Sequence, residues 1–311
     1  MSSRFVWNRL AQPQFGLGHR ISEAIADHER SGSGVLSDVR EGPEVLVACD
    51  IGGDHREAEY RAFGYLVAEI GSSEGWMEQR LALRHAKLPD GRRMSYKSLR
   101  DGMRKGALPW FLQAASALQG NLVIFLVSRD IPTLFSDPGD MKLLPELVVA
   151  ERGWNQSAFA RLLTVGTFGA LLVAGLVDKG QDILWLTDQD EIAPNPLKHN
   201  HAGHVICHCI ERYGPDHRGQ LTFISTEGAF DHCFREDLTA IPDLAAGAFV
   251  EAFSVPKRRE VPIRARAADR SLSEKARVVL RWLSSTGPTL RSIVAVLRPN
   301  GSLVDVSILT P

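Results

Sequence analysis

The chain lacks most of the features that mark a secreted, membrane-bound or nucleic-acid-coating protein. Its 311 residues include only four cysteines, Cys49, Cys207, Cys209 and Cys233. Their spacing offers no disulfide framework, so a reducing compartment is expected. Positive and negative charges nearly cancel, with 36 Lys and Arg against 37 Asp and Glu and a formal net charge of −1. No overall basic field steers such a chain towards a polyanion. That excludes a general DNA-coating protein but leaves room for an enzyme with a local basic groove. The opening residues, Met1-Ser2-Ser3-Arg4-Phe5-Val6-Trp7, lack the apolar stretch of a secretory signal. The most apolar run lies between Arg161 and Asp178. It is shorter than the roughly 20 residues a spanning helix needs and reads as a core helix. A cytoplasmic protein without a membrane partner is expected. No internal repeat, Walker loop, nucleophile elbow or kinase signature set is present.

What the chain does have is an ordinary globular composition, 44% hydrophobic and 23% charged. Residues 1–43 are polar, broken by Ser31-Gly32-Ser33-Gly34, with a helical stretch over 20–30, and read as an N-terminal arm. From residue 44 the pattern becomes regular. Apolar runs at 45–50 and 62–70, separated by a polar turn, predict a β-hairpin. Apolar positions three and four apart predict helices over 74–87 and 97–118. The run 121–128 is almost wholly apolar, as expected of a strand covered on both faces. A long helix over 156–176 leads to a strand at 183–188, a helix over 198–213, a strand at 221–225 and a helix through Asp243 to residue 253. Residues 255–311 supply a charged connector beginning Lys257-Arg258-Arg259-Glu260, a helix over 273–284, and a hairpin joined by Pro299-Asn300-Gly301. A hairpin, a third strand, then helix–strand alternation predicts an α/β fold. The order is that of a ribonuclease H-like mixed sheet flanked by helices, spanning 44–254, with a C-terminal helix and β-hairpin extension.

Three acids occupy chemically telling places. Asp50 ends the first strand, Asp188 ends the strand at 183–188, and Asp243 lies in Ala240-Ile241-Pro242-Asp243-Leu244-Ala245-Ala246-Gly247. Carboxylates brought together at buried strand ends repel one another. A divalent cation relieves that repulsion, and Mg2+ or Mn2+ suits a few carboxylates together with water and substrate phosphate. If the acids converge, two ions about 3.5–4 Å apart would bridge a scissile phosphate. Asp50 would be the shared ligand, because it ends the central strand. Asp190, in Thr187-Asp188-Gln189-Asp190-Glu191, is an alternate metal ligand. Lys97 would hold a phosphate oxygen or offset developing charge. The plainer alternative is that each aspartate only caps an element, with Asp243 following Pro242 at a helix start.

These segments resemble the domain-of-unknown-function family 3800, a bacterial group with a ribonuclease H-like, integrase-like fold. Family members end their first strand in an Asp-Glu-Ser-Gly signature, matched at its first and last positions by Asp50-Ile51-Gly52-Gly53. The second strand is similar in Phe63-Gly64-Tyr65-Leu66-Val67, and the late helix in Pro242-Asp243-Leu244-Ala245-Ala246-Gly247-Ala248. The likeness spans about 44–253 and implies a metal-dependent nuclease with nucleic acid as partner. One departure matters. The family places a glutamate shortly before a Lys or His in the middle helical segment, but Met94-Ser95-Tyr96-Lys97 keeps the lysine and has Ser95 in the acid's place. Glu57, Glu78, Asp90 or Glu191 are candidate replacements. The departure also admits a catalytically silent member of the fold. That member would bind or assemble with a protein partner or a second copy, in a bacterial defence or mobile-element system.

Other constellations carry less. His204 and His208 are four apart on one helical face, with Cys207 beside them and Cys233 or His232 further along. That is a possible zinc site lacking an assured fourth ligand. The basic segments Arg92-Arg93, Arg100 to Lys105 and Lys257-Arg258-Arg259 would contact phosphates or lie on solvated faces. Trp110, Trp154 and Trp185 sit in apolar contexts and read as core.

Overall fold

The computed structural model describes residues 5–134 except 11, 33–35, 72 and 133; 153–188; 192–226 except 215 and 218; 232–254; and 268–311 except 286. Among these are seven strands: β1 (Glu44–Gly52), β2 (Tyr60–Glu69), β3 (Gln119–Ser128), β4 (Asp182–Thr187), β5 (Leu221–Ser225), β6 (Leu290–Asn300) and β7 (Leu303–Leu309). There are seven α-helices: α1 (Leu17–Arg30), α2 (Glu74–Lys87), α3 (Gly102–Ala115), α4 (Gln156–Leu176), α5 (Pro196–Tyr213), α6 (His232–Phe253) and α7 (Glu274–Leu283). One mixed sheet takes the order β5-β4-β1-β2-β3-β6-β7. β1, β2 and β3 form an antiparallel meander among themselves. β4 lies parallel to β1, β5 parallel to β4, and β6 parallel to β3.

Side chains alternate across a strand with period two, so the sheet divides its residues between two cores. Leu46 and Ala48 of β1, and Leu186 of β4, face one layer with α2, α3, α6 and α7. Val45, Val47 and Cys49, with Ile183 and Trp185, face the other, built on α1, α4 and α5. The second core is held by aromatic contacts, Phe125 stacked on Phe168 at 4.1 Å and Tyr65 donating to the Val165 carbonyl at 2.8 Å. Helix α4 is long and apolar enough to cross a membrane by length and composition, but 83% of its apolar window is buried inside the protein. It is a core helix.

The terminal segments are built into these layers. Val6, Trp7 and Leu10 enter the second core, the Glu29 carboxylate accepts from the Val6 and Trp7 backbone, and Arg20 donates to the Val304 carbonyl at 2.8 Å. At the other end, β6 and β7 extend the sheet beside β3.

Three local expectations need correction. The helix expected over 97–118 is divided. A 3₁₀ turn, Lys97–Arg100, stops at Asp101, whose extended backbone and side chain cap α3 by accepting from the Met103 N–H. Helix α6 begins ten residues before Pro242, which therefore lies inside the helix and is not its start. Proline has no N–H to offer the preceding turn, and the Pro242 carbonyl instead packs against Gly64 of β2, where an added Cβ would lie 2.8 Å away. In the last hairpin Asn300 pairs with Leu303, so Gly301-Ser302 forms the turn in place of Asn300-Gly301.

Candidate functional site

The pleat explains why Asp50 and Asp188 meet. Cys49 and Thr187 are parallel partners, so the next residue of each chain, Asp50 and Asp188, leaves the sheet on the face of Ala48 and Leu186. That face is covered by α6, which crosses β1 and β2 and carries Asp243. Asp50 is the antiparallel partner of Gly64. The missing side chain at Gly64 lets the Pro242 turn approach, and this sets Asp243 over the end of β1.

Two of the three acids meet, and the third acts on them by charge alone. The carboxyls of Asp50 and Asp243 hydrogen-bond to each other, and Asp188 acts on Asp243 through its charge. Burial is the main cause pushing the Asp243 carboxyl up to about 6, with Asp188 adding to it, while the Tyr96 N–H, Arg93 and Asp50 oppose it. Asp188 is held elsewhere as well. Arg93 donates from Nη1 to Oδ1 at 2.9 Å and from Nη2 to Oδ2, and Thr226 Oγ1 donates to Oδ1 at 2.8 Å. Burial works against the Arg93 cation, but the Asp188 hydrogen bonds and charge, with Asp50 and Glu236 behind them, hold its pKa above the usual value.

The loop carrying Arg93 is fixed from three helices. Arg84 of α2 donates to the Arg92 carbonyl at 2.8 Å, and Arg104 of α3 donates to the Arg93 carbonyl at 2.7 Å. Arg84 is itself held, with Arg80, by the fully buried Asp237 of α6; both Nε groups donate to Oδ2, at 3.0 and 2.8 Å. Three residues on, the Tyr96 N–H donates to Asp243 Oδ2 at 2.6 Å and the Tyr96 hydroxyl donates to Glu251 Oε2 at 2.6 Å. Glu251 also accepts from the Ser273 N–H and hydroxyl at the start of α7. Lys275 of α7 closes this group, its Nζ donating to the Tyr96 carbonyl at 2.9 Å and lying 3.9 Å from the ring centroid. Burial draws the Lys275 ammonium below its usual pKa, against the pull of Glu251 and Asp243.

The other expected site residues fall differently. Lys97 is exposed on its 3₁₀ turn, and no described contact joins it to the three carboxylates. Asp190 and Glu191 lie outside the described residues, as do Lys257, Arg258 and Arg259. Ser95 hydrogen-bonds to Ser98 at 2.8 Å. Glu57, Glu78 and Asp90 are exposed, Asp90 pairing with Arg92. Arg104 and Lys105 are paired with Asp101 and Glu274. Trp185 is buried as expected, but Trp110 is 55% exposed, because α3 turns Ala107, Leu108 and Phe111 inward and leaves Trp110 under Lys87. In the His/Cys group, His204 is exposed, His208 Nδ1 lies 3.3 Å from Glu211, Cys207 is directed at the same Glu211, and Cys233 is on α6. Among the described residues no group of three or more His, Cys, Asp or Glu side chains is placed to hold a metal ion.

The sequence offered Arg93 only within the basic segment Arg92-Arg93, as a phosphate contact or a solvated residue and not as a partner of Asp188; Tyr96, Lys275 and Glu236 were missed. Only Glu236 left a usable signal. It lies seven residues before Asp243, hence on the same face of α6, and its charge reaches Arg93. No protein-family model, curated protein or solved structure matches this chain.

Proposed function

We propose that the chain is a metal-dependent phosphodiester hydrolase of ribonuclease H-like fold, acting on nucleic acid. The observation that carries the reading is the contact between the half-buried Asp50 and Asp243 carboxyls, with the charge of Asp188 acting on Asp243. Two carboxylates in such contact share a proton or need a cation. The donor set is all carboxylate oxygen, which suits Mg2+ or Mn2+ over a softer ion. Arg93 on Asp188 supports the same view, since the centre already attracts a cation. Asp50, Asp243 and Asp188 would hold the metal, which supplies electrophilic polarisation of a phosphoryl oxygen when bound. The Tyr96 N–H keeps Asp243 aimed at Asp50. Arg93, turned from Asp188, offers a planar fork suited to two phosphoryl oxygens. Lys275 adds positive charge at the rim, the part expected of Lys97.

The Arg93–Asp188 fork also favours a second reading. A resident guanidinium neutralises one acid, as would suit a silent member of the fold acting as a binding or assembly component. Cleavage of labelled single- and double-stranded RNA and DNA in Mg2+ or Mn2+, comparing wild type with Asp50→Asn, separates the two. Metal-dependent cleavage lost in the variant supports the hydrolase. A folded protein that cleaves none of the four substrates supports the silent component.

A further inference from the structure

A surface helix ordinarily turns charge towards water, but the outward ridge of α3 carries none. Met103, Gly106, Trp110 and Gln113 recur there at helical spacing, and all four are exposed. Helix α2 packs beside α3 in the opposite direction, Gly75 against Ala117 and Lys87 over the Trp110 ring. Between the two runs a groove of about 450 Å3, lined by Leu83, Ala82 and Ala86 of α2 and by Trp110 of α3. Leu81, beside this groove on α2, is 57% exposed. Six large hydrophobic side chains stand open to solvent among the described residues, and three of them, Leu81, Met103 and Trp110, belong to these two helices. Such a concentration marks a face that something covers.

The charges along α2 say what covers it. Glu74 and Glu78 are exposed in its first half, His85 and Lys87 in its second. The two acids disfavour a polyanion. A second α2 laid parallel would set acid on acid, whereas one laid antiparallel sets acid on base. Identical helices paired antiparallel are related by a two-fold axis, so each contact is made twice. We propose that this face is where two copies of the chain meet, their α2 helices antiparallel about an axis near Ala82. Glu78 of each copy then lies against the His85–Lys87 end of the other. Leu81, Ala82 and both Trp110 rings fill the middle, where a tryptophan is the common anchor of an interface. This pairing goes beyond the carboxylate centre and rests on neither metal nor cleavage.

The test is sedimentation equilibrium of the full chain over a wide range of concentration, with circular dichroism confirming that each variant is folded. Variants are Trp110→Glu, Glu78→Lys, Lys87→Glu, the double swap Glu78→Lys with Lys87→Glu, and Leu197→Glu, which alters a comparably exposed leucine on α5. Wild type is expected to dimerise and Trp110→Glu to stay monomeric, while Leu197→Glu behaves as wild type. Each single reversal is expected to raise the dimer dissociation constant about tenfold. The double swap should bring it back to within about twofold of wild type, a recovery that a structural role for either residue would not produce. A wild type that is monomeric at every concentration would overturn the proposal in favour of a different partner for this face. A dimer that persists in folded Trp110→Glu, or a double swap no better than the single reversals, would overturn it as well.

Discussion

The backbone N–H of Tyr96 donates to Asp243 Oδ2 at 2.6 Å, so a loop between α2 and α3 aims a carboxylate on α6. The same residue reaches α7 through its hydroxyl on Glu251, which in turn holds the Ser273 cap. Tyr96 is therefore a junction between the acid centre and the C-terminal helix. Tyr96→Phe keeps the N–H and the ring but leaves Glu251 one donor short. A hydrogen bond to a charged group is worth about 1.5–3 kcal/mol. The expected result is a loss of that order in urea unfolding, with faster amide exchange confined to α7. Exchange in α7 as slow as in wild type would refute the junction.

Asp243 gives a pH dependence with a definite sign. Its folded pKa, near 6, lies above the ordinary value of 3.8. Between those values the folded protein holds a proton that the unfolded chain has lost, so this group makes stability fall as pH rises through the window. Below it the group contributes no penalty, and above it the penalty is complete. Asp243→Asn should flatten the fall of melting temperature between pH 4 and pH 6, and Mn2+ should stabilise wild type more at pH 7.5 than at pH 5. A variant with the wild-type pH profile would show that the carboxyl titrates normally.

Asp237 is fully buried between Arg80 and Arg84, and Arg84 carries the Arg92 carbonyl. Removing one partner of such a buried group leaves uncompensated charge, at a cost of about 3–5 kcal/mol. Asp237→Ala should lose stability on that scale in chemical denaturation. A loss under 1 kcal/mol would mean that the arginines find other partners.

Arg93 occupies Asp188, where a cation would have to displace it. Arg93→Gln should bind Mn2+ several-fold more tightly, read by the loss of free-ion signal in electron paramagnetic resonance, while cleavage falls. Arg93→Lys, which keeps the charge without the fork, should lie between the two. Weaker Mn2+ binding in Arg93→Gln would make Arg93 a support of the centre and not its competitor.

Much of the framework could be read from the chain because it is encoded locally. The strands at 45–50, 121–128 and 183–188 announce themselves by apolar runs, and the helix over 74–87 by its period. Asp50 and Asp188 could be placed near strand ends because each closes such a run. Arg93 could not, because it looks like any surface arginine until α2 and α3 fix its loop over β4. Pro242 misled for a physical reason. A proline usually starts a helix, but here the preceding turn, Leu238 to Ile241, is buried and holds the helix through it. Trp110 misled because hydrophobic neighbours in sequence point to opposite sides of α3. The pairing of β6 with β3 joins segments about 170 residues apart, a contact no local pattern specifies.

The most direct test of the central claim is anomalous scattering at the manganese edge from crystals grown with Mn2+. The expected result is a peak coordinated by Asp50 and Asp243, with Asp188 drawn in and the Arg93 guanidinium released from it. Crystals in which Asp50 and Asp243 remain hydrogen-bonded to each other, Arg93 remains on Asp188, and no manganese lies among the three acids at saturating Mn2+ would contradict it.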